Sequence, residues 1–138
     1  PECPGRLSAM SEPKSASDSR PAVLIIDDEP MLLEAMRQGL KAEFSVEVAT
    51  TAEEGTLLAA TRPYDVIICD QLLPGEQGLE FLMRLAAQRP GARRILLTGY
   101  INPDLISRSI ALAGLSACLL KPVSTPELVK AIRTALSA

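Results

Sequence analysis

Three apolar runs in this chain end on charged residues, and those charges are the ones whose types and spacing could do chemistry. VLIIDD ends in Asp27 and Asp28, YDVIICD ends in Asp70, and ACLLKP carries Lys121 after its apolar part. Each run has the length and aliphatic content of a strand buried on both faces. Open parallel sheets bind their ligands just past the carboxyl ends of their strands. Parallel neighbours would therefore bring three carboxylates and one ammonium to one pocket. Two like charges about 4 Å apart repel by roughly 4 kcal/mol at an effective dielectric near 20. Such a cluster must raise a pKa or recruit a cation. The hard cation that keeps some of its waters and uses few carboxylates is Mg²⁺. Lys121 would meet a phosphoryl oxygen as a point charge, and the Thr98 hydroxyl, at the end of RRILLT, could donate to another. A cis bond before Pro122 would fix the loop and aim Lys121 inward. Each residue has an ordinary reading as well: acids solvated in loops or capping helices, a lysine snorkelling at a strand edge, a threonine in a turn. Glu29 reads as a helix-start acid favoured by the macrodipole.

The elements that must position these groups follow a regular alternation. AVLIID is strand one; Pro30 suits the first turn of a helix with the stripe Leu33, Met36, Leu40 and Phe44. SVEVA is strand two, and Thr51 with Glu54 makes a capping box for helix two. YDVIICD is strand three, LLPGEQG a loop, and Leu79, Leu82, Met83 and Ala86 carry helix three. RRILLTG is strand four; Asn102-Pro103-Asp104 caps a helix that ends at Gly114. ACLL is strand five, and Thr125-Pro126-Glu127 caps helix five, with Leu128, Ala131, Ile132, Ala135 and Leu136 inward. Strict βα alternation with short loops predicts a parallel sheet with helices on both faces. Right-handed crossovers and one reversal give the order 2-1-3-4-5, which puts strands one and three side by side at the switch point.

Composition narrows the function. The chain has 138 residues, 47% of them hydrophobic but only 3% aromatic, so its core is aliphatic. A net charge of −3 argues against direct nucleic-acid binding by this domain. No stretch is long enough to span a membrane and no signal-peptide apolar region is seen. Three cysteines, with Cys69 and Cys118 inside apolar runs, suit a reducing cytoplasm without disulfides. The absence of His makes zinc enzymes and Ser-His or Cys-His hydrolases poor readings. Residues 1–20, rich in Pro, Ser, Gly, Glu and Lys, read as a disordered tail or linker, with Met10 as a candidate start, and 21–138 as one domain.

Over about residues 21–138 the chain resembles the receiver domain of two-component response regulators. IIDDE, Asp70 followed by LLPGEQGLE, LLTG and LLKPV carry the resemblance, in order and on the expected elements. It implies a flavodoxin-like (βα)5 fold and phosphorylation of Asp70 by a histidine kinase or phosphotransfer domain. It implies Mg²⁺ held by Asp28, Asp70 and the Leu72 backbone carbonyl, with Asp27 acting largely through water, and phosphoryl contacts from Thr98 and Lys121. Gly75 and Gly78 would serve turn geometry. The output would be a changed surface on helix four, strand five and helix five, which is also the expected homodimer or partner face. The resemblance thus implies a switch that supports its own phosphotransfer and slow dephosphorylation, with no conventional turnover expected. Helix five runs almost to the last residue, so an effector is expected in a longer parent or in a separate partner.

One position departs from the family. An aromatic residue is expected three before the strand-five lysine, and Cys118 stands there. Tyr100 is the nearby aromatic, read either as a substitute switch and cover for the site or as an exposed residue heading helix four. Bulky Leu72 and Tyr100, each two past a site residue, would hinder an attacking water. Three other functions compete. An aspartate-nucleophile phosphatase wants a second Asp two after the first, where Leu72 stands. A flavin or nucleotide binder wants a phosphate cradle in the first βα loop, which instead bears two acids. A degenerate receiver, binding partners without phosphorylation, is kept open by Cys118.

Overall fold

The computed structural model describes residues 19–99, 104, 107, 108, 111 and 114–137. Alternating aliphatic positions build the sheet. Strands β1 (Ala22–Ile26), β2 (Ser45–Ala49), β3 (Val66–Asp70), β4 (Arg93–Thr98) and β5 (Ala117–Leu120) form one sheet in the order β2-β1-β3-β4-β5. All its pairings are parallel. Successive side chains leave opposite faces of a strand, and the core divides accordingly. Leu24, Ile26, Ile67, Cys69 and Leu96 pack on one side with Phe81, Leu82 and Leu85. Val23, Ile25, Val66, Ile68, Ile95 and Leu97 pack on the other with Leu33, Met36, Leu40, Leu128 and Ile132. The first face is covered by helices α2 (Ala52–Thr61) and α3 (Gly78–Gln88), the second by α1 (Pro30–Leu40) and the last helix (Thr125–Ser137). The predicted flavodoxin-like, doubly wound architecture is therefore the observed one. Between β4 and β5, residues Asp104, Ser107, Arg108 and Ala111 are helical, and Gly114, at φ 61°, follows in the left-handed conformation that commonly closes a helix. The expected start of that helix at Asn102 and Pro103, Tyr100, and the tail up to residue 18 lie outside the described residues.

Several local expectations shift by a residue or a turn. Phe44 is fully buried but sits past the end of α1, which stops at Leu40. The α3 stripe is Gly78, Phe81, Leu82 and Leu85, while Met83 is 38% exposed. The helix begins at Gly78, and from there the i, i+3, i+4, i+7 period selects those positions. The LLPGEQG segment is a small antiparallel hairpin, pairing Leu72 with Gln77 and Leu73 with Glu76. The last helix is capped by Ser124 rather than Thr125. Its Oγ accepts the Glu127 N–H at 3.2 Å, and its own N–H donates to Glu127 Oε1 at 2.9 Å. The Thr51 cap of α2 forms as expected, accepting the Glu54 N–H at 3.0 Å. The third apolar run is not buried on both faces: β5 is an edge strand and Leu120 is 52% exposed.

Candidate functional site

Register brings the charged groups together. Ile26 stands beside Cys69, Asp70 beside Leu97, and Thr98 beside Leu120. The residues that follow Ile26 and Leu120 therefore emerge at the same rim as Asp70, and the ladder continues into them. Asp27 N–H donates to the Ala49 carbonyl at 3.1 Å, and Lys121 N–H to the Thr98 carbonyl at 2.8 Å. One carboxylate oxygen from each of Asp27, Asp28 and Asp70 lies within 4.8 Å of the others. Asp27 is fully buried, Asp70 is 5% exposed and Asp28 faces solvent. Lys121 Nζ sits 3.4 Å from Asp27 Oδ2 and 3.4 Å from Asp70 Oδ1. Thr98, the last residue of β4, is buried at the same rim. The peptide before Pro122 is cis.

The electrostatics follow from this crowding. Burial, with Asp27 repulsion behind it, holds the Asp70 carboxyl above its ordinary range, against the pull of Lys121 and a hydrogen bond from the Leu72 backbone. Burial works against the Lys121 ammonium, but Asp27 and Asp70 together outweigh it and keep the group protonated. Three carboxylates against one ammonium leave the pocket two negative charges in excess. Hard oxygen donors with that excess fit a divalent cation such as Mg²⁺.

The remaining predicted residues sit around this pocket. Leu72 is 75% exposed, on the hairpin two residues past Asp70. Cys118 is half-buried, in register with Leu96 and packed on the α2–α3 side of the sheet. Burial pushes its thiol up, as it does that of Cys69, so neither has the depressed pKa of a reactive cysteine. Tyr100 lies outside the described residues.

Three features escaped sequence reasoning. Gly78 is not at positive φ; a Cβ there would lie 2.1 Å from the Asp70 carbonyl oxygen, so only glycine lets α3 approach β3 so closely. Gln71 hydrogen-bonds the N-terminus of α3 across eight residues, a span that no local motif marks. Glu47, 4% exposed on edge strand β2, accepts hydrogen bonds from the half-buried Arg62 and Tyr64, partners that lie 15 and 17 residues along the chain. The Glu47 position reads from the chain only as an interruption of an apolar strand. By contrast Ser124-x-x-Glu127 is a capping box in plain sight.

Comparison with known proteins agrees with the geometry. Residues 23–133 match the family model of the response regulator receiver domain. The chain is 35% identical over 122 residues to the hydrogenase transcriptional regulatory protein HoxA of Cupriavidus necator, covering 88% of this chain and 25% of that protein. It is 34% identical over 125 residues to the probable transcriptional regulatory protein TcrX of Mycobacterium tuberculosis, covering 87% of this chain and 52% of that protein. It thus spans a quarter to about half the length of these relatives. A CheY-like response regulator receiver domain protein from Methanospirillum hungatei shares the fold with a TM-score of 0.80 at 32% identity, covering 86% of this chain and 95% of that one. Receiver domains are signalling domains rather than conventional enzymes; they bind Mg²⁺ at an acidic pocket and interact with histidine kinases or phosphotransfer proteins. Among the described residues no helix is long and apolar enough to cross a membrane. With the fold, the acidic pocket and the family match in agreement, the chain belongs to the response regulator receiver domain family.

Proposed function

We propose that residues 21–138 act as a phosphorylation switch with Asp70 as the phosphoacceptor. A carboxylate oxygen of Asp70 attacks the phosphorus of a phosphohistidine on a histidine kinase or phosphotransfer protein. The new O–P bond forms as the P–N bond breaks, and the imidazole leaves with the electron pair and takes a proton. Asp28, Asp70 and the Leu72 carbonyl would hold Mg²⁺, with Asp27 acting through water; when bound, the ion neutralises charge on the phosphoryl oxygens. The ammonium of Lys121 and the hydroxyl of Thr98 would meet two of those oxygens. The chain's part is positioning and electrostatics, which is most of what phosphoryl transfer asks of a protein.

The product carries nearly two negative charges at Asp70. That charge draws Lys121 and Thr98 and reshapes the surface of the helix after β4, β5 and the last helix, which meets an output domain, a partner or a second copy. The observation that carries this reading is Lys121 Nζ set 3.4 Å from both Asp27 and Asp70, with Asp28 completing the acidic group. Cys118 in place of an aromatic favours a second reading, a partner-binding module that works without phosphate. One experiment separates them. Acetyl phosphate with Mg²⁺ is expected to add one phosphoryl group by intact mass, and Asp70→Asn to abolish it. A parent that takes up no phosphoryl group supports the second reading, and an adduct that survives in Asp70→Asn overturns the assignment.

A further inference from the structure

The residue after the proposed phosphoacceptor is tied down on every side. Gln71 N–H donates to the Leu97 carbonyl at 2.8 Å, extending the β3–β4 ladder. Its backbone carbonyl accepts the Gly78 N–H at 2.9 Å, and its side-chain Oε1 accepts the Leu79 N–H at 2.9 Å. Those are two of the orphan donors at the start of α3, whose own N-cap, Gln77, makes no side-chain capping bond. Gln71 Nε2 donates to Gln77 Oε1 at 3.4 Å, closing the loop back on the hairpin. One residue therefore caps a helix that begins seven positions later.

The consequence runs through the backbone that joins Asp70 to Leu72. The Gln71–Leu72 peptide presents its C=O to Gly78 of α3, and the Leu72 backbone is among the groups that favour the charged form of Asp70. A trans peptide is rigid and sends its C=O and N–H in opposite directions, so seating α3 on the carbonyl turns the Leu72 amide away from the helix. The missing Cβ of Gly78 permits that seat, since the helix backbone lies against the Asp70 carbonyl.

We propose that Gln71 is a positioning residue: by capping α3 with its side chain it fixes the backbone between Asp70 and Leu72, and so limits how far the Asp70 carboxylate and the Leu72 carbonyl, one peptide further on, can swing away from Mg²⁺. This rests on the reading of Asp70, Asp28 and Leu72 as the ion's holders. Outer groups that orient metal ligands typically govern affinity by 10–100-fold.

The test compares Gln71→Leu with Arg89→Leu. Arg89, at the C-cap of α3, is the control for general loosening of that helix: its side chain donates to the Ala59 and Ala60 carbonyls of α2 at 2.9 Å each. Calorimetric titration with MgCl₂ is expected to show affinity roughly tenfold weaker in Gln71→Leu and unchanged in Arg89→Leu. Hydrogen exchange should quicken at the Gly78 and Leu79 amides in Gln71→Leu alone. Gln71→Asn, too short to reach Leu79 yet still hydrophilic, repeats the measurement if the leucine variant fails to fold. Affinity within twofold of the parent's, or equal losses in Gln71→Leu and Arg89→Leu, overturns the proposal. A parent that forms no Asp70 adduct instead sinks the reading of the pocket; a parent that does, with an unaffected Gln71 variant, sinks this inference alone.

Discussion

Replacing Lys121 by methionine removes, among the described residues, the cation that faces both buried acids. Its Nζ is 3.4 Å from an oxygen of each. At an effective dielectric near 20, each contact is worth about 5 kcal/mol of bare attraction. Desolvation of the three groups offsets most of that. Deleting the ammonium nevertheless strands two carboxylates, Asp27 fully buried and Asp70 5% exposed, with neutral donors such as the Glu29 N–H on Asp27 in place of a countercharge among the described residues. Breaking such a buried set costs about 3–5 kcal/mol. Lys121 keeps a quarter of its side chain in water, which lowers the expectation to about 2 kcal/mol. For a domain of this size that is a fall of about 8 °C in Tm.

The assay is thermal and urea unfolding in EDTA, near neutral pH, for the parent, Lys121→Met, Asp70→Asn and the double variant. The double variant should recover about half of the loss, since one of the two stranded charges is gone. The pH dependence has a definite sign. Because the folded Asp70 carboxyl titrates above its unfolded value of 3.8, its charge penalises the folded state at neutral pH. The penalty is relieved as pH falls through the folded value, and the gap between parent and Lys121→Met narrows there. The Lys121 contribution itself is fully present below the unfolded lysine value of 10.5 and is lost only above the raised folded one. An unchanged Tm in Lys121→Met, or a double variant no more stable than the single, would refute the electrostatic account of the pocket.

Two further outcomes are expected. Mg²⁺ at about a hundred times its Kd should stabilise the parent by about 2.7 kcal/mol in urea titrations. Asp28→Asn should lose that gain while shifting the ion-free protein by less than about 0.5 kcal/mol, because Asp28 is exposed; a full Mg²⁺ response in this variant would remove Asp28 from the ion's holders. Gly78→Ala forces a Cβ to within 2.1 Å of the Asp70 carbonyl oxygen unless the backbone shifts. It should cost about 3 kcal/mol and slow phosphoryl uptake, whereas wild-type stability and uptake would contradict the close seat of α3.

The strands, their parallel order and the gathering of Asp27, Asp28, Asp70 and Lys121 were all determined by the sequence alone. Each depends on local period and on position at a strand end, and a parallel sheet converts strand-end position into proximity without further instruction. The cap at Thr51 was legible for the same reason, since its partner is three residues away. Tertiary structure alone decided the phase of α3, the hairpin after Asp70, the tie from Gln71 to Leu79 and the part-buried cluster of Glu47, Arg62 and Tyr64. These contacts join residues 8 to 17 apart along the chain, or backbone atoms that carry no side-chain identity. Whether such groups meet depends on the path of the chain between them, and no periodicity encodes that path. The same distinction separates the two glycines of the loop. Gly75 sits at φ 81°, a turn that its type announces, whereas Gly78 is required only because the Asp70 carbonyl occupies the space a side chain would take.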